Sequence, residues 1–364
     1  MSFSPDDYRY MAQALRLAEY GLYTTTPNPR VGCVVVREGN VIGQGWHERA
    51  GLPHAEINAL KMAGKKARGG TVYVTLEPCN HCGQTGPCSD ALVDAGVGRV
   101  VAAMRDPNPL VNGGGLEKLK QAGVQVEYGI LENEARELNI GFVSRMVRGR
   151  PWTRMKIAAS LDGKTALNNG KSRWITGEPA RQDVHCWRAR SCAILTGIGT
   201  IKDDDPQLTV RHVETSRQPL RAVVDSRLEI NSSARVLQGG ALVFCAVDDK
   251  PRISGLTHTG ANVIVLPNRE GKVELGQMME ALAQRGMNEV LVEAGYRLNG
   301  SLLKAGLVDE LLLYIAPRLL GDKARGMFEL PELQEMAGGR ELKILDLRMV
   351  GRDLRMLARF VDDG

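Results

Sequence analysis

The sequence predicts two layered α/β domains in one chain. Three observations carry that expectation. The length of 364 residues suits two cores rather than one. Helical and strand periodicities alternate along both halves, as layered α/β domains require. Midway, the basic stretch Val147-Arg148-Gly149-Arg150-Pro151 interrupts the alternation, which puts the expected domains at residues 1–148 and 149–364.

The first half opens with Ser4-Pro5-Asp6-Asp7, a capping hydroxyl followed by proline and acids in the first turn. Tyr8, Met11, Ala12, Leu15 and Ala18 then recur at helical spacing. Residues 31–36 and 41–46 read as strands around a Glu38-Gly39-Asn40 turn. A helix over 54–63, a strand over 71–76 and a long loop follow. Beyond the loop come helix 89–95, strand 97–103, helix 116–121, strand 124–128 and a closing helix over 132–147. The second half carries strands near 153–158, 193–196, 220–224, 241–246, 262–266 and 289–293. Its helices are expected over 178–189, 276–284 and 299–305.

Composition narrows the function classes. Apolar runs such as Leu311–Ala316 fall far short of the roughly 20 residues of a spanning helix. The opening MSFSPDDYRY has two acids and no apolar core, unlike a signal peptide. Net charge is +5 without a block of like charge, and only 5% of residues are aromatic, so a nucleic-acid partner is not expected. Seven cysteines, an odd number, read as thiols or metal ligands in a reducing cytoplasm.

Three of those cysteines, Cys79, Cys82 and Cys88, fall within ten residues. With His54 they offer enough borderline and soft donors for a tetrahedral zinc that keeps one position open for water. By spacing alone Cys79 and Cys82 form the more familiar pair, so the second sulfur ligand stays open. Glu56, two residues after His54, can move protons between a zinc-activated water and a leaving amine. His-x-Glu followed by Pro-Cys is the pattern of zinc nucleobase deaminases. A purely structural zinc site would use four protein ligands and would not need that acid.

These residues resemble the bifunctional riboflavin-biosynthesis deaminase/reductases, the RibD family. The likeness rests on Thr26-Pro27-Asn28-Pro29-Arg30-Val31-Gly32, on His54-Ala55-Glu56, and on the run from Glu77-Pro78-Cys79 to Pro87-Cys88. It implies a cytidine-deaminase-like α/β/α domain with His54, Cys79 and Cys88 as zinc ligands, Glu56 as proton shuttle and Cys82 as a bystander. Asn28 and His81 match positions that line the base pocket. Gln84 departs from the family, which usually has a basic residue there to touch the substrate phosphate. Gly86 replaces the first of two usual prolines.

In the second half, Gly197-Ile198-Gly199 follows a strand but lacks the third glycine of a dinucleotide fingerprint, which disfavours a standard Rossmann domain. Glu293-Ala294-Gly295 ends a strand just before a helix, where free N–H groups can hold a pyrophosphate. The same family resemblance continues from 151 to about 320, through Lys156–Lys164, Ser172–Thr176 and Thr196–Thr209. It implies a dihydrofolate-reductase-like α/β domain that binds NADPH. Ala158, Trp174, Thr200, Asp204, Ser226, Gly295, Tyr296, Arg297, Leu298, Asn299, Gly300 and Ser301 would contact the cofactor. Ser172, Arg188, Leu208, Arg211 and Glu293 would contact the ribosylamino-pyrimidine phosphate, the two arginines as two-bond phosphate holders.

The expected activity is therefore zinc-dependent deamination of a pyrimidine ribosyl phosphate, followed by NADPH-dependent reduction of its sugar. The family likeness also implies a homo-oligomer built through the reductase half, and the cysteine usage implies the cytoplasm.

Overall fold

The structure is a computed structural model that describes residues 3–80, 86–109 and 111–361. The chain divides into two compact units, Met1–Gly149 and Arg150–Gly364.

The first unit begins with α1 (Pro5–Glu19), whose Ser4 and Asp7 form the reciprocal cap expected from the sequence. Strands β1 (Gly32–Arg37), β2 (Asn40–Trp46), β3 (Thr71–Val74), β4 (Arg99–Ala102) and β5 (Gln125–Tyr128) form one sheet in the order β2-β1-β3-β4-β5. Alternate residues of these strands feed two cores. Cys33, Val35, Val72, Val74 and Val100 pack on α2 (Ala55–Ala63), α3 (Cys88–Asp94) and α4 (Gly114–Gln121). Val34, Val36, Tyr73 and Val101 face α1, α5 (Glu132–Leu138) and α6 (Ile140–Arg148). The result is the three-layer α/β/α domain anticipated above.

One difference is instructive. The single helix expected over 132–147 is two helices that break at Asn139. Asn139 is buried, and its amide closes on the backbone of Arg30: Arg30 N–H donates to Oδ1 at 2.8 Å and Nδ2 donates to Arg30 O at 2.9 Å. A contact 109 residues away in sequence overrides local helical periodicity.

The second unit holds a nine-stranded sheet. Its strands are β6 (Trp152–Ser160), β8 (Ala193–Gly197), β9 (Leu220–Val224), β10 (Leu242–Cys245), β11 (Asn262–Val265), β12 (Glu289–Val292), β13 (Glu310–Ala316), β15 (Leu342–Val350) and β16 (Asp353–Phe360). The order is β11-β10-β9-β8-β12-β6-β13-β16-β15. A separate pair joins β7 (Lys164–Ala166) to β14 (Arg325–Gly326). Parallel strands at the centre bury both faces, under α10 (Leu275–Gln284) and α11 (Tyr296–Lys304) on one side and α7 (Glu178–Arg190) and α9 (Lys250–Thr257) on the other. The short helix α8 (Ile198–Asp204) leads out of β8. No helix among the described residues is long and apolar enough to cross a membrane.

The centre of this sheet is not wholly apolar. Arg154 on β6 is 2% exposed and lies between Glu310 of β13, to which its Nε donates, and Glu289 of β12, 3.2 Å from Nη1. Glu289 and Glu310 also pair with Arg190 and Arg359, so removing Arg154 takes one of two cations from each buried carboxylate. Arg154→Met should therefore cost about 1.5–3 kcal/mol, the scale of a hydrogen bond to a charged group, read as a fall in the denaturant midpoint of this unit. A midpoint within experimental error of wild type would show that the cluster is dispensable.

Candidate functional site

In the first unit, β1, β2 and α2 bring the zinc-type residues together. Gly43 and Gly45 let α2 lie directly on β2, since a Cβ at Gly43 would come within 2.2 Å of Ala59 O. His54 is the N-cap of α2, and Glu56 sits in its first turn. Cys88 opens α3, and Cys79 lies on the loop after β3. The His54 Nδ1 is 3.2 Å from Cys88 Sγ and 3.6 Å from Cys79 Sγ. The ligating atoms of the three residues lie within 4.8 Å of one another. One imidazole nitrogen and two thiol sulfurs at this separation suit a zinc ion with one open position.

The donor groups are coupled to one another. Hydrogen bonds from Cys88 and His54 outweigh burial and pull the Cys79 thiol down, while the shared proton pushes Cys88 up. Burial pushes the Glu56 carboxyl up to about 7, against the pull of His54. Glu77, just before Pro78-Cys79, anchors the loop: its carboxylate accepts N–H bonds from Asp106, Gly113, Gly115 and Leu116 at 2.9–3.3 Å. Asn28 donates its Nδ2 towards His47 Nε2 at 3.0 Å, and the His47 ring stands edge-on to His54 at 5.3 Å. His47, an isolated histidine just after β2, carries no local signal in the sequence. His81, Cys82 and Gln84 lie outside the described residues.

The second unit contains a cleft of about 610 Å³ at the carboxyl ends of β6, β8 and β12. Of the expected cofactor contacts, Ala158, Trp174, Thr200, Asp204, Gly295 and Tyr296 line it. Of the expected substrate contacts, so do Ser172, Arg188, Leu208, Arg211 and Glu293. Ser226 and the stretch from Arg297 to Ser301 are not among the lining residues. Ser226 Oγ accepts the Val273 N–H at 3.2 Å. Within α11, Asn299 and Gly300 are buried, and Gly300 meets the Glu329 backbone so closely that a Cβ would lie 2.1 Å from its carbonyl oxygen.

Arg188 is not open to make a two-bond grip on phosphate. Its Nε and Nη2 donate to the two oxygens of Glu293 at 2.6 and 2.9 Å, and Nη1 donates to Thr209 O at 3.1 Å. A partner 105 positions away cannot be read from flanking motifs. Lys156, a lysine inside an apolar strand, adds its Nζ 3.8 Å from Glu293 Oε2. Burial alone would raise Glu293, but Arg188 and Lys156 prevail and hold it at about 2. His185 is pushed down to about 4, by burial first and by Arg188 and Arg211 next. It is therefore neutral near pH 7, and its Nδ1 accepts the Arg211 N–H at 3.1 Å.

Comparison with known proteins joins the two sites in one family. Residues 4–104 match the cytidine and deoxycytidylate deaminase zinc-binding region, and residues 151–356 match the RibD C-terminal domain. The riboflavin biosynthesis protein RibD of Escherichia coli K12 is 48% identical over 362 residues, covering 96% of this chain and 98% of that protein. The chain belongs to the RibD family.

The Haemophilus influenzae RibD is 43% identical, with 98% of each chain covered. Among solved structures, RibD of Acinetobacter baumannii (form 1) gives a TM-score of 0.92 at 43% identity, covering 98% of this chain and 99% of that one. A Thermotoga maritima protein, titled a diaminohydroxyphosphoribosylaminopyrimidine deaminase/5-amino-6-(5-phosphoribosylamino)uracil reductase, gives 0.86 at 32% identity with the same coverage. RibD proteins are the bifunctional deaminase/reductases of riboflavin biosynthesis. A zinc-binding deaminase domain and an NADPH-using reductase domain are typical of them.

The buried Glu293 has a signed consequence for pH. Its folded pKa lies below its ordinary 4.5, so its contribution to stability is whole above that value and is lost as pH falls towards 2. Compared with Glu293→Gln, the wild type should lose on the order of 3 kcal/mol of unfolding free energy across that window. Parallel pH profiles for the two proteins would show that Glu293 is not held ionised.

Proposed function

We propose that the first unit removes the ring amino group of 2,5-diamino-6-ribosylamino-4(3H)-pyrimidinone 5′-phosphate by hydrolysis. The second unit then reduces 5-amino-6-(5-phosphoribosylamino)uracil to the ribitylamino product with NADPH. The observation that carries this reading is the His54–Cys79–Cys88 donor set beside a buried carboxyl on Glu56.

In the first unit His54, Cys79 and Cys88 would hold zinc, which would supply an acidified water at neutral pH. Glu56 takes up a proton on its carboxylate and delivers it to the departing amine, a task that suits a carboxyl raised towards neutrality. Asn28 and His81 orient the pyrimidine. Because Asn28 points its amide nitrogen at His47, its carbonyl oxygen is left to accept from the base.

In the second unit Ala158, Trp174, Thr200, Asp204, Gly295 and Tyr296, which line the cleft, would hold NADPH, which would supply the reducing equivalents. Ser172, Leu208 and Arg211 hold the substrate. Arg188 and Lys156 keep Glu293 ionised, so it meets the ribosyl group as a hydrogen-bond acceptor. Placing acceptor and cofactor in contact is the main catalytic demand of such a step.

A nicotinamide-absorbance assay tests both halves. Wild type should oxidise NADPH with either the diamino or the deaminated substrate. Glu56→Ala should do so only with the deaminated one, its deamination falling by roughly 10²–10⁴-fold. Wild-type oxidation confined to the deaminated substrate would refute the deaminase assignment, and none with either would refute the reductase.

A homo-oligomer through the reductase unit belongs to the same proposal. Its support is β15, an edge strand of the sheet that exposes Leu342, Ile344, Leu347 and Met349. Long apolar edges of this kind are normally covered. Light scattering should give a multiple of 39.7 kDa for wild type and the single-chain mass for the double variant Ile344→Lys, Leu347→Glu. A single-chain mass for wild type, or no change in the variant, counts against it.

A further inference from the structure

We infer that Arg235, together with Arg211, forms the grip on the 5′-phosphate of the substrate reduced in the second unit. This deepens the proposed reductase reading and rests on it.

The argument begins with what a phosphate dianion needs. Three strongly accepting oxygens are best met by guanidinium groups whose forks are open, and a single arginine rarely satisfies them. The cleft contains several cations, but most are already paired. Arg188 gives its fork to Glu293, Arg173 pairs with Asp204, and Arg325 pairs with Asp203. Arg181 stacks over Trp174 at 4.5 Å and donates Nη1 to Thr176 O. Arg211 and Arg235 remain. Both line the cleft, both are exposed, and among the described residues neither has a carboxylate partner.

Arg211 cannot do the whole task. Its Nη1 donates to Gln207 Oε1 at 3.2 Å and to Thr209 Oγ1 at 3.1 Å, which leaves Nε and Nη2. Arg235 supplies the second fork. The two guanidinium groups are close enough that Arg235 and Arg188 both help to lower the pKa of Arg211, after burial. Glu293 offsets only part of this field, and the remaining excess of positive charge favours the arrival of an anion.

The backbone under Arg235 is fixed for this purpose. Its N–H donates to Asp205 Oδ1 at 2.9 Å, and the following Val236 and Leu237 are buried in the core. Asp205 and Leu208, on the segment leading to Arg211, both adopt left-handed backbone at φ 40° and 52°. One turn thus ties the two arginines together: Asp205 anchors one, and the segment that it begins carries the other. The proposed function seats the NADPH pyrophosphate at the start of α11, beyond Gly295, and on that reading the paired arginines are assigned to the substrate.

The test measures reductase kinetics of the full chain with the phosphorylated substrate, with its dephosphorylated counterpart, and with inorganic phosphate as inhibitor. Arg235→Gln should raise KM for the phosphorylated substrate about tenfold, the scale of one charge-assisted hydrogen bond. KM for the dephosphorylated substrate should move less than twofold, and inhibition by inorganic phosphate should weaken in parallel. Arg235→Lys, which keeps the charge but not the fork, should fall between. Equal effects on both substrates, or a rise in KM for NADPH alone, would overturn the inference. Absence of NADPH oxidation by wild type is the separate result that would remove the reductase reading, and this inference with it.

Discussion

Buried charge, and the requirement that it be paired, governs this molecule more than any apolar contact. Arg154 sits where the central strands of the larger sheet meet, so β6, β12 and β13 must arrive with Glu289 and Glu310 beside it. The register follows, with Arg154 directly opposite Glu310. Such a cluster adds little net stability over an apolar core, but a slip by one residue would strand a charge. The smaller sheet has its counterpart at one end, where Arg99 pairs with both Asp7 and Glu127.

The same rule shapes the reductase cleft. Glu293 stands at the end of β12 and is held ionised by Arg188 and Lys156, which in turn are held by it. Without its two cations the carboxylate could not remain charged in a closed site. Without the carboxylate, Arg188 would keep only its bond to Thr209 O. A residue that reads in sequence as a ligand for phosphate also, in the folded protein, supports an acid. Glu77 plays the corresponding part in the deaminase domain, where four backbone N–H groups converge on one carboxylate and fix the loop that carries Cys79.

Much of this was legible in the sequence, for physical reasons. The α1 cap, the alternation of strand and helix, and the His54–Glu56 pair are local signals, and they emerge as read. Spacing could not decide between Cys82 and Cys88, because ligand geometry is set by the fold of the loop and not by its length. Leu311–Ala316 reads in the sequence only as an apolar run, since a strand buried on both faces has no alternation to display. The β15–β16 hairpin escaped because its segments carry arginines and aspartates among exposed leucines; pairing with β13 makes them strands. Lys156, His185 and Arg235 acquire meaning only from neighbours distant in the chain.

The clasp of Asn139 on Arg30 bears on how the first unit is made. A polypeptide leaves the ribosome from its amino end, and contacts distant in sequence must wait for both partners. Residues 28–30 are synthesised early, yet the amide that closes on Arg30 comes at the boundary between α5 and α6, nearly the last part of the unit. The clasp on the segment that carries Asn28 therefore closes only after almost the entire first unit has emerged. Closure of this segment is tied to completion of its own domain, so a nascent chain arrested before residue 139 would hold His54, Cys79 and Cys88 but lack the clasp on Arg30.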